Sequence, residues 1–333
     1  MEDNMAKGRS APTMKDVAQE AGVAIGTVSK VINGIPVGKA YRVRVERAIK
    51  KLNYRVNIYA QGMRSEHTHT IQVIVPNLLT PFFAELVNCI TKELQQRNYK
   101  TMLCTTDGDP SLEQSHVLMA EQHMADGIIC LSYSPELQVP ESIPMVSIDR
   151  CFNARVPCVS SDNYGGGRLA AEKLVENGCR RLAFLRVGAS LANEPNKRKD
   201  GFVSFCEEHG IPYDTKMIDD GTPYSVFEEF LQEHMHGGKL DFDGIFCVTD
   251  ALAHWTRNVL QGMGVRVPDD VQLIGFDGVA LFGGMDLPCS TIVQPLKGIA
   301  RTCVNLVLDD HPEDAPSLIC LPVSYACGGT TRH

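Results

Sequence analysis

The spacing of apolar positions changes character along the chain. Over residues 13–54 it is helical throughout. Met14, Val17, Ala18 and Ala21 fall on one face of a helix. Thr13 with Asp16 starts it in the shape of a capping box, and Gly22 stops it. Thr27, Val28, Val31 and Ile32 mark a second, shorter helix ended by Asn33-Gly34. A third follows, with Val45, Ala48, Ile49 and Leu52 inward and Arg42, Arg44, Arg47, Lys50 and Lys51 outward. Helix, glycine-containing turn, helix is the spacing of a helix-turn-helix.

Residues 55–69 are polar with little apolar pattern and read as a linker. From Ile71 onward short apolar strands alternate with amphipathic helices. The expected strands are Ile71–Val75, Thr101–Cys104, Gly127–Leu131, Met145–Ile148, Leu182–Val187, Gly244–Val248 and Val271–Phe276. The expected helices are Phe82–Gln96, Leu112–His123, Gly166–Asn177, Asp200–His209, Val226–His234 and Leu252–Met263. Such alternation predicts parallel sheets with right-handed crossovers. About 260 residues of it exceed one small sheet, so two lobes are expected.

Charge sharpens the division. Residues 1–67 carry 12 Lys and Arg against 6 Asp and Glu, a net of +6, while the whole chain is −8, which leaves −14 for the remainder. A basic head on an acidic body suits DNA, because counterion release needs a local positive surface rather than a positive total. No apolar run is long enough to cross a bilayer, and Met1–Pro12 is polar without the apolar stretch of a secretory signal, so a cytoplasmic location is expected. The twelve cysteines form no CxxC pair and read as reduced and mostly buried. Two His-x-His pairs, His67/His69 and His234/His236, lack ligand partners at metal spacing and read as solvated loop residues, so no metal or cofactor is expected.

Three stretches of the head are specific: Met14-Lys-Asp-Val-Ala-Gln-Glu-Ala-Gly-Val23, Thr27-Val-Ser-Lys-Val-Ile-Asn-Gly34 and Ala48-Ile-Lys-Lys-Leu-Asn-Tyr54. In these the chain resembles the LacI/GalR family of repressors. The resemblance implies that the second helix enters the major groove of double-stranded operator DNA. Ile25, Gly26 and Lys30 then match base-touching positions, and Thr27, Ser29, Asn33 and Tyr54 match phosphate-holding ones, with Lys15 also at the interface. Ile25 offers a base only apolar contact and Gly26 none. Ala24 stands where the family has a capping serine, an expected cost of about 1 kcal/mol, and Gly38 likewise replaces a common cap. Asn57-Ile-Tyr-Ala-Gln-Gly-Met63 aligns with the family's hinge helix, which implies DNA contacts at Asn57, Ala60 and Met63, Met63 holding the position of the wedging leucine. Val56 replaces a proline, and Gly62 weakens so short a helix.

The resemblance continues through Ile71-Gln-Val-Ile-Val-Pro-Asn77, Ser161-Asp-Asn-Tyr-Gly-Gly-Gly-Arg-Leu-Ala-Ala171, Asp243-Gly-Ile-Phe-Cys-Val-Thr-Asp250 and Thr291-Ile-Val-Gln-Pro295, over roughly 13–331. It implies an all-α helix-turn-helix head (1–55), a hinge and linker (56–69) and an α/β periplasmic-binding-protein-like sensor (70–333) of two doubly wound parallel sheets. Lobe 1 is expected at about 70–160 and 290–322, lobe 2 at about 161–289 and 323–333. In such folds ligands bind beyond the carboxyl ends of the strands. That rule selects Asp149, Asp250 and Asp277, which follow predicted strands, Phe82 and Phe83 after the first strand's loop, and Arg198 at the start of a helix. Carboxylates, a guanidinium and rings suit a polyhydroxylated ligand, by bidentate hydrogen bonds and ring stacking.

The leading function is a dimeric repressor, paired through lobe 1 where Phe83–Gln96 offers an amphipathic helix, whose operator affinity a sugar or sugar derivative controls. A dimer is expected because tetrameric relatives carry a C-terminal heptad tail that this sequence lacks. An alternative keeps the DNA-binding regulator but gives control to a phosphorylated protein partner. A nucleotide-dependent oxidoreductase has only Gly165-Gly-Gly167 in its favour. That run lacks an apolar strand immediately before it and reads as a device for close packing at the lobe crossover.

Overall fold

The computed structural model describes residues 12–54, 68–132, 134, 137–139, 141–152, 155–188, 193–280, 287–309 and 315–332. It separates into two compact units, residues 1–68 and 69–333. In the first, α1 (Met14–Ala21), α2 (Ile25–Ile32) and α3 (Lys39–Leu52) close around Val17, Ala18, Ala21, Val28, Val45 and Ala48. The capping box forms: the Asp16 carboxylate accepts from the Thr13 backbone N–H at 2.7 Å and from its hydroxyl at 2.8 Å, while Asp16 N–H donates to Thr13 Oγ1 at 3.3 Å. Gly22 ends α1 at φ +62°, a left-handed turn that glycine adopts without strain. Ala24 begins α2 with no side-chain cap, as its methyl group dictates.

The second unit holds β1 (Thr70–Val75), α4 (Pro81–Gln96), β2 (Lys100–Thr105), α5 (Pro110–Met119), β3 (Gly127–Cys130), β4 (Met145–Ile148), β5 (Cys158–Ser161) and α6 (Asn163–Glu176). It continues with β6 (Leu182–Val187), α7 (Lys197–His209), β7 (Tyr213–Ile218), α8 (Ser225–Glu233), the small hairpin β8 (Met235–His236) and β9 (Lys239–Leu240), β10 (Gly244–Cys247), α9 (Asp250–Gly262) and β11 (Gln272–Asp277). The final elements are β12 (Ser290–Val293), α10 (Leu296–Val307), β13 (Leu318–Leu321) and β14 (Ser324–Ala326). Lobe 1 is a parallel sheet ordered β13-β5-β4-β3-β1-β2, and lobe 2 is ordered β14-β12-β11-β10-β6-β7 with only β14 antiparallel. Both reverse strand order around their first strand, the doubly wound arrangement that opens a crevice at the strand ends. Phe184, Phe202, Phe246 and Phe276 centre the core of lobe 2; Ile71, Val73, Leu86, Ile90, Ile129 and Ile299 lie in that of lobe 1.

Three short crossovers join the lobes, after Ser161, Val293 and Leu321. The expected lobe boundary near residue 290 is therefore corrected: Ser290–Val293 pairs with β11 in the second sheet, and the chain crosses afterwards. In the amphipathic helix α4 the apolar residues Leu86, Val87, Ile90 and Leu94 pack into the core of their own lobe.

Two further expectations change. A strand, β5, does directly precede the glycine run; its sequence Cys-Val-Ser-Ser hides it, because both serines are buried and hydrogen-bonded rather than replaced by apolar residues. The run still serves packing, but between α6 and α7. A Cβ on Gly167 would lie 2.0 Å from the Arg198 carbonyl oxygen, and one on Gly201 2.0 Å from that of Tyr164. At the helix start Asp162 accepts from Gly165 N–H at 2.8 Å, so a carboxylate stands where a nucleotide fold presents free amides to phosphate. His234 is half-buried rather than solvated, with the Phe230 and Phe242 rings at 4.5 and 4.6 Å. His67 lies outside the described residues.

Candidate functional site

In the head, Ile25, Gly26 and Lys30 are exposed along α2, while Thr27 and Ser29 are half-buried beside them. Ile25 is an apolar side chain 42% exposed at the tip of a helix, which the head's own packing leaves without a use. Asn33 is exposed and donates toward Ser29 Oγ at 3.5 Å; Lys15 is exposed on α1. Tyr54 is half-buried against the core, so only part of it faces outward. Asn57, Ala60 and Met63 lie outside the described residues.

Between the lobes a cavity of about 750 Å³ opens at the carboxyl ends of both sheets. Phe82, Phe83, Asp149, Arg198 and Asp277 all line it. Phe82 is 7% exposed and braces Phe83, which it meets edge-on at 5.5 Å. Asp149 leaves β4 with φ +62° and Asp277 ends β11 at φ +146°, conformations that ordinary residues seldom adopt and that strand-end ligand groups often hold under constraint.

These side chains sit in a buried polar network. Arg198 Nε donates to Asn163 Oδ1 at 2.7 Å and Nη1 to the Val248 carbonyl at 2.7 Å, with its guanidinium 3.7 Å above the Phe276 ring. Asn163 Nδ2 donates to Ser160 Oγ at 2.8 Å, and Ser160 donates to Asp149 at 2.6 Å. Gln294 donates to Asp277 Oδ1 at 2.8 Å and accepts from Ser161 Oγ at 2.8 Å, tying one lobe to the other. Burial raises the Asp149 carboxyl, with the Arg198 charge opposing. Burial and then the neighbouring Asp250 push Asp277 up to about 8, again against Arg198.

Asp250 is corrected. It does not line the cavity: its oxygens accept from Thr291 Oγ1 at 2.6 Å and Gly278 N–H at 2.8 Å, which makes it an internal brace at the start of α9. Asn163, Gln294 and the two serines escaped the sequence reading because a buried hydroxyl in a strand, or a buried amide just beyond one, looks like a loop residue. Their signal was their place at strand ends and crossovers. Arg186, 7% exposed and hydrogen-bonded to Asn196, was missed inside the apolar pattern of β6. The arrangement holds rings, guanidinium and hydrogen-bonding oxygens in fixed geometry around a cavity, which suits binding. Among the described residues no cluster of His, Cys, Asp and Glu is placed to hold a metal, and no helix is long and apolar enough to cross a membrane.

Comparison with known proteins agrees with both units. Residues 13–57 match the model of the bacterial regulatory proteins of the lacI family, and 68–325 that of the periplasmic binding proteins and sugar binding domain of the LacI family. The sucrose operon repressor of Pediococcus pentosaceus is 33% identical over 96% of this chain and 99% of its own length. The ribose operon repressor of Halalkalibacterium halodurans is 32% identical over 89% of each. Among solved structures, the lac repressor dimer bound to operator and the anti-inducer ONPF shares the fold at a TM-score of 0.80 and 22% identity, over 96% of this chain and 99% of that one. The transcriptional regulator CelR in complex with cellobiose has a TM-score of 0.66 and 26% identity, over 96% of this chain and 99% of that one. The chain thus belongs to the LacI family of bacterial regulatory proteins: it is a DNA-binding transcriptional repressor with a periplasmic-binding-protein-like sensor, and not an enzyme.

Proposed function

We propose that a sugar or sugar derivative bound between the lobes controls the affinity of the head for an operator in the cytoplasm. The observation that carries this reading is the buried network bringing Asp149, Arg198 and Asp277 to one cavity beside Phe83. A carboxylate and a guanidinium grip hydroxyl pairs, and a ring covers C–H faces. The named functions of the sucrose and ribose operon repressors, and the cellobiose complex of CelR, support a sugar as the ligand class. On the DNA side, Ile25, Gly26 and Lys30 are the base readers; Thr27, Ser29, Asn33 and Tyr54 hold phosphates, Lys15 also contacts the DNA, and Asn57, Ala60 and Met63 serve the hinge. The working form is a dimer joined through lobe 1.

Arg198→Ala and Asp277→Ala test the cleft. Arg198→Ala removes charge-assisted bonds of about 1.5–3 kcal/mol, and Asp277→Ala the bonds of a carboxyl that is mostly protonated at neutral pH, about 0.5–1.5 kcal/mol, so sugar affinity by isothermal titration is expected to fall roughly tenfold to hundredfold in the first and roughly tenfold in the second. Operator binding without sugar is expected to persist, because neither residue belongs to the helix-turn-helix unit. Unchanged sugar affinity in both variants, with the sugar still altering operator binding, contradicts this assignment of the cleft.

A further inference from the structure

The loop between β4 and β5 brings two thiols together beside the cavity. Cys158 opens β5 and is fully buried, with Ser147 of β4 and Leu318 of β13 opposite it in register. Cys151 stands in the loop, three residues beyond the end of β4, and is exposed. The chain turns at Asp149, whose φ is +62°, and returns so that the side chains of Cys151 and Cys158 are hydrogen-bonded to each other. A third thiol, Cys320, is exposed on the edge strand β13 opposite Ser160, on the face that Cys158 and Ser160 share. The Lys197 ammonium, held by Glu194 at 2.7 Å, interacts with both Cys151 and Cys320.

Two thiols in contact, one open to solvent and one buried, are arranged as an attacking and a resolving cysteine. Burial, and then the neighbouring Cys151, hold the Cys158 thiol protonated, well above its ordinary range, so the exposed Cys151 meets an oxidant first. Once Cys151 is oxidised, the neighbouring thiol that opposes ionisation of Cys158 is gone, while the Ser147 hydroxyl, hydrogen-bonded to Cys158, still favours its thiolate. The pair also bears on the cavity. Asp149 stands two residues before Cys151, and it accepts at 2.6 Å from Ser160, two residues after Cys158. An S–S bond is about 2.05 Å long, shorter than a thiol–thiol hydrogen bond, so closing it draws the loop onto β5 beside the Asp149–Ser160 pair and holds it there.

We propose that Cys151 and Cys158 are a peroxide-sensitive dithiol, and that their disulfide locks the loop carrying Asp149 and so puts one wall of the cavity under redox control. The Cys151 sulfur attacks one oxygen of hydrogen peroxide, the O–O bond breaks, and the thiol proton leaves with the departing hydroxide as water, giving a sulfenic acid. The Cys158 sulfur then attacks the Cys151 sulfur; the S–S bond forms, the S–O bond breaks, and the hydroxide leaves with the Cys158 proton as a second water. The two thiols lose two electrons and the peroxide gains them. In a reducing compartment such a bond is transient. The disulfide does not depend on what the cavity binds; only its consequence for a ligand rests on the reading of the cleft as the effector site.

The test exposes the reduced full chain to hydrogen peroxide, blocks the remaining thiols with N-ethylmaleimide, and maps the digested chain by mass spectrometry. The expected result is a Cys151–Cys158 link that dithiothreitol reopens, with two of the twelve thiols consumed. Amide hydrogen exchange at residues 149–152 is expected to slow by about tenfold or more in the oxidised chain, and in Cys151→Ser to ignore peroxide. In Cys158→Ala, dimedone is expected to trap a sulfenic acid at Cys151, which has lost its resolving partner. Should Cys158→Ala not fold, Cys151→Ser with the wild-type map still decides the matter. A Cys151 that remains a thiol while other cysteines oxidise, or that links to Cys320 or to a second chain instead, overturns the proposal. So does a Cys151–Cys158 disulfide that leaves hydrogen exchange at 149–152 unchanged.

Discussion

Asp277 illustrates how a single side chain reports on its surroundings. Its carboxyl titrates at about 8 because burial, then the charge of Asp250, disfavour ionisation more than Arg198 favours it. In the unfolded chain the same group loses its proton near pH 4. The folded state therefore holds a proton that the unfolded state has released, and stability from this group is full below about pH 4 and is lost as pH rises through about 8. The ligand-free protein is expected to melt at falling temperature between pH 5 and 8, and Asp277→Asn to show a shallower fall. Identical slopes contradict the assignment. In the head the residue-scale prediction concerns Lys30 and Ser29, adjacent on α2 but differently exposed. Lys30→Ala is expected to change the preferred operator sequence in a competition assay, while Ser29→Ala weakens all sequences alike by about 1 kcal/mol. An unchanged preference in Lys30→Ala means that another face of α2 reads the bases.

The helix pair α6 and α7 sets the position of Arg198. Gly167 and Gly201 let the two backbones touch, and the Arg198 carbonyl is the atom a Gly167 methyl would strike, at 2.0 Å. Gly167→Ala is expected to cost about 1–3 kcal/mol and to lower the melting temperature by several degrees. Sugar affinity is expected to fall with it, since α7 must shift. Gly262→Ala, also helical but with nothing within 4 Å, is the contrast and is expected to be neutral or to stabilise by up to about 1 kcal/mol. Equal melting temperatures for the two variants refute the packing argument. This contact also bounds what the sequence could tell. The glycine run signalled close approach, but not the partner helix. Strands with an apolar face, such as β1, β3 and β6, were legible from composition; β5, with two buried serines, and β7, an edge strand with no clear apolar face, were not.

At the scale of the molecule, the division into a basic helical head and an acidic α/β body was legible because spacing and charge change together near residue 69. The cleft was legible in outline, since strand ends in doubly wound sheets locate it. Its inner network was not. Nothing in the neighbourhood of Asp250 distinguishes a strand-end carboxylate that faces a ligand from one consumed by Thr291 and Gly278; that depends on how β11 and β12 pack beside it.

The central claim, that this chain binds an operator through its positive head, is met most directly by a titration of salt against affinity. Operator DNA selected from a random library would be labelled and its affinity for the full chain measured by fluorescence anisotropy from about 50 to 200 mM salt. With a head of net charge +6 neutralising about six phosphates, the affinity is expected to fall with about the fifth power of salt concentration. A library that yields no enriched sequence, or an affinity indifferent to salt, would contradict the account.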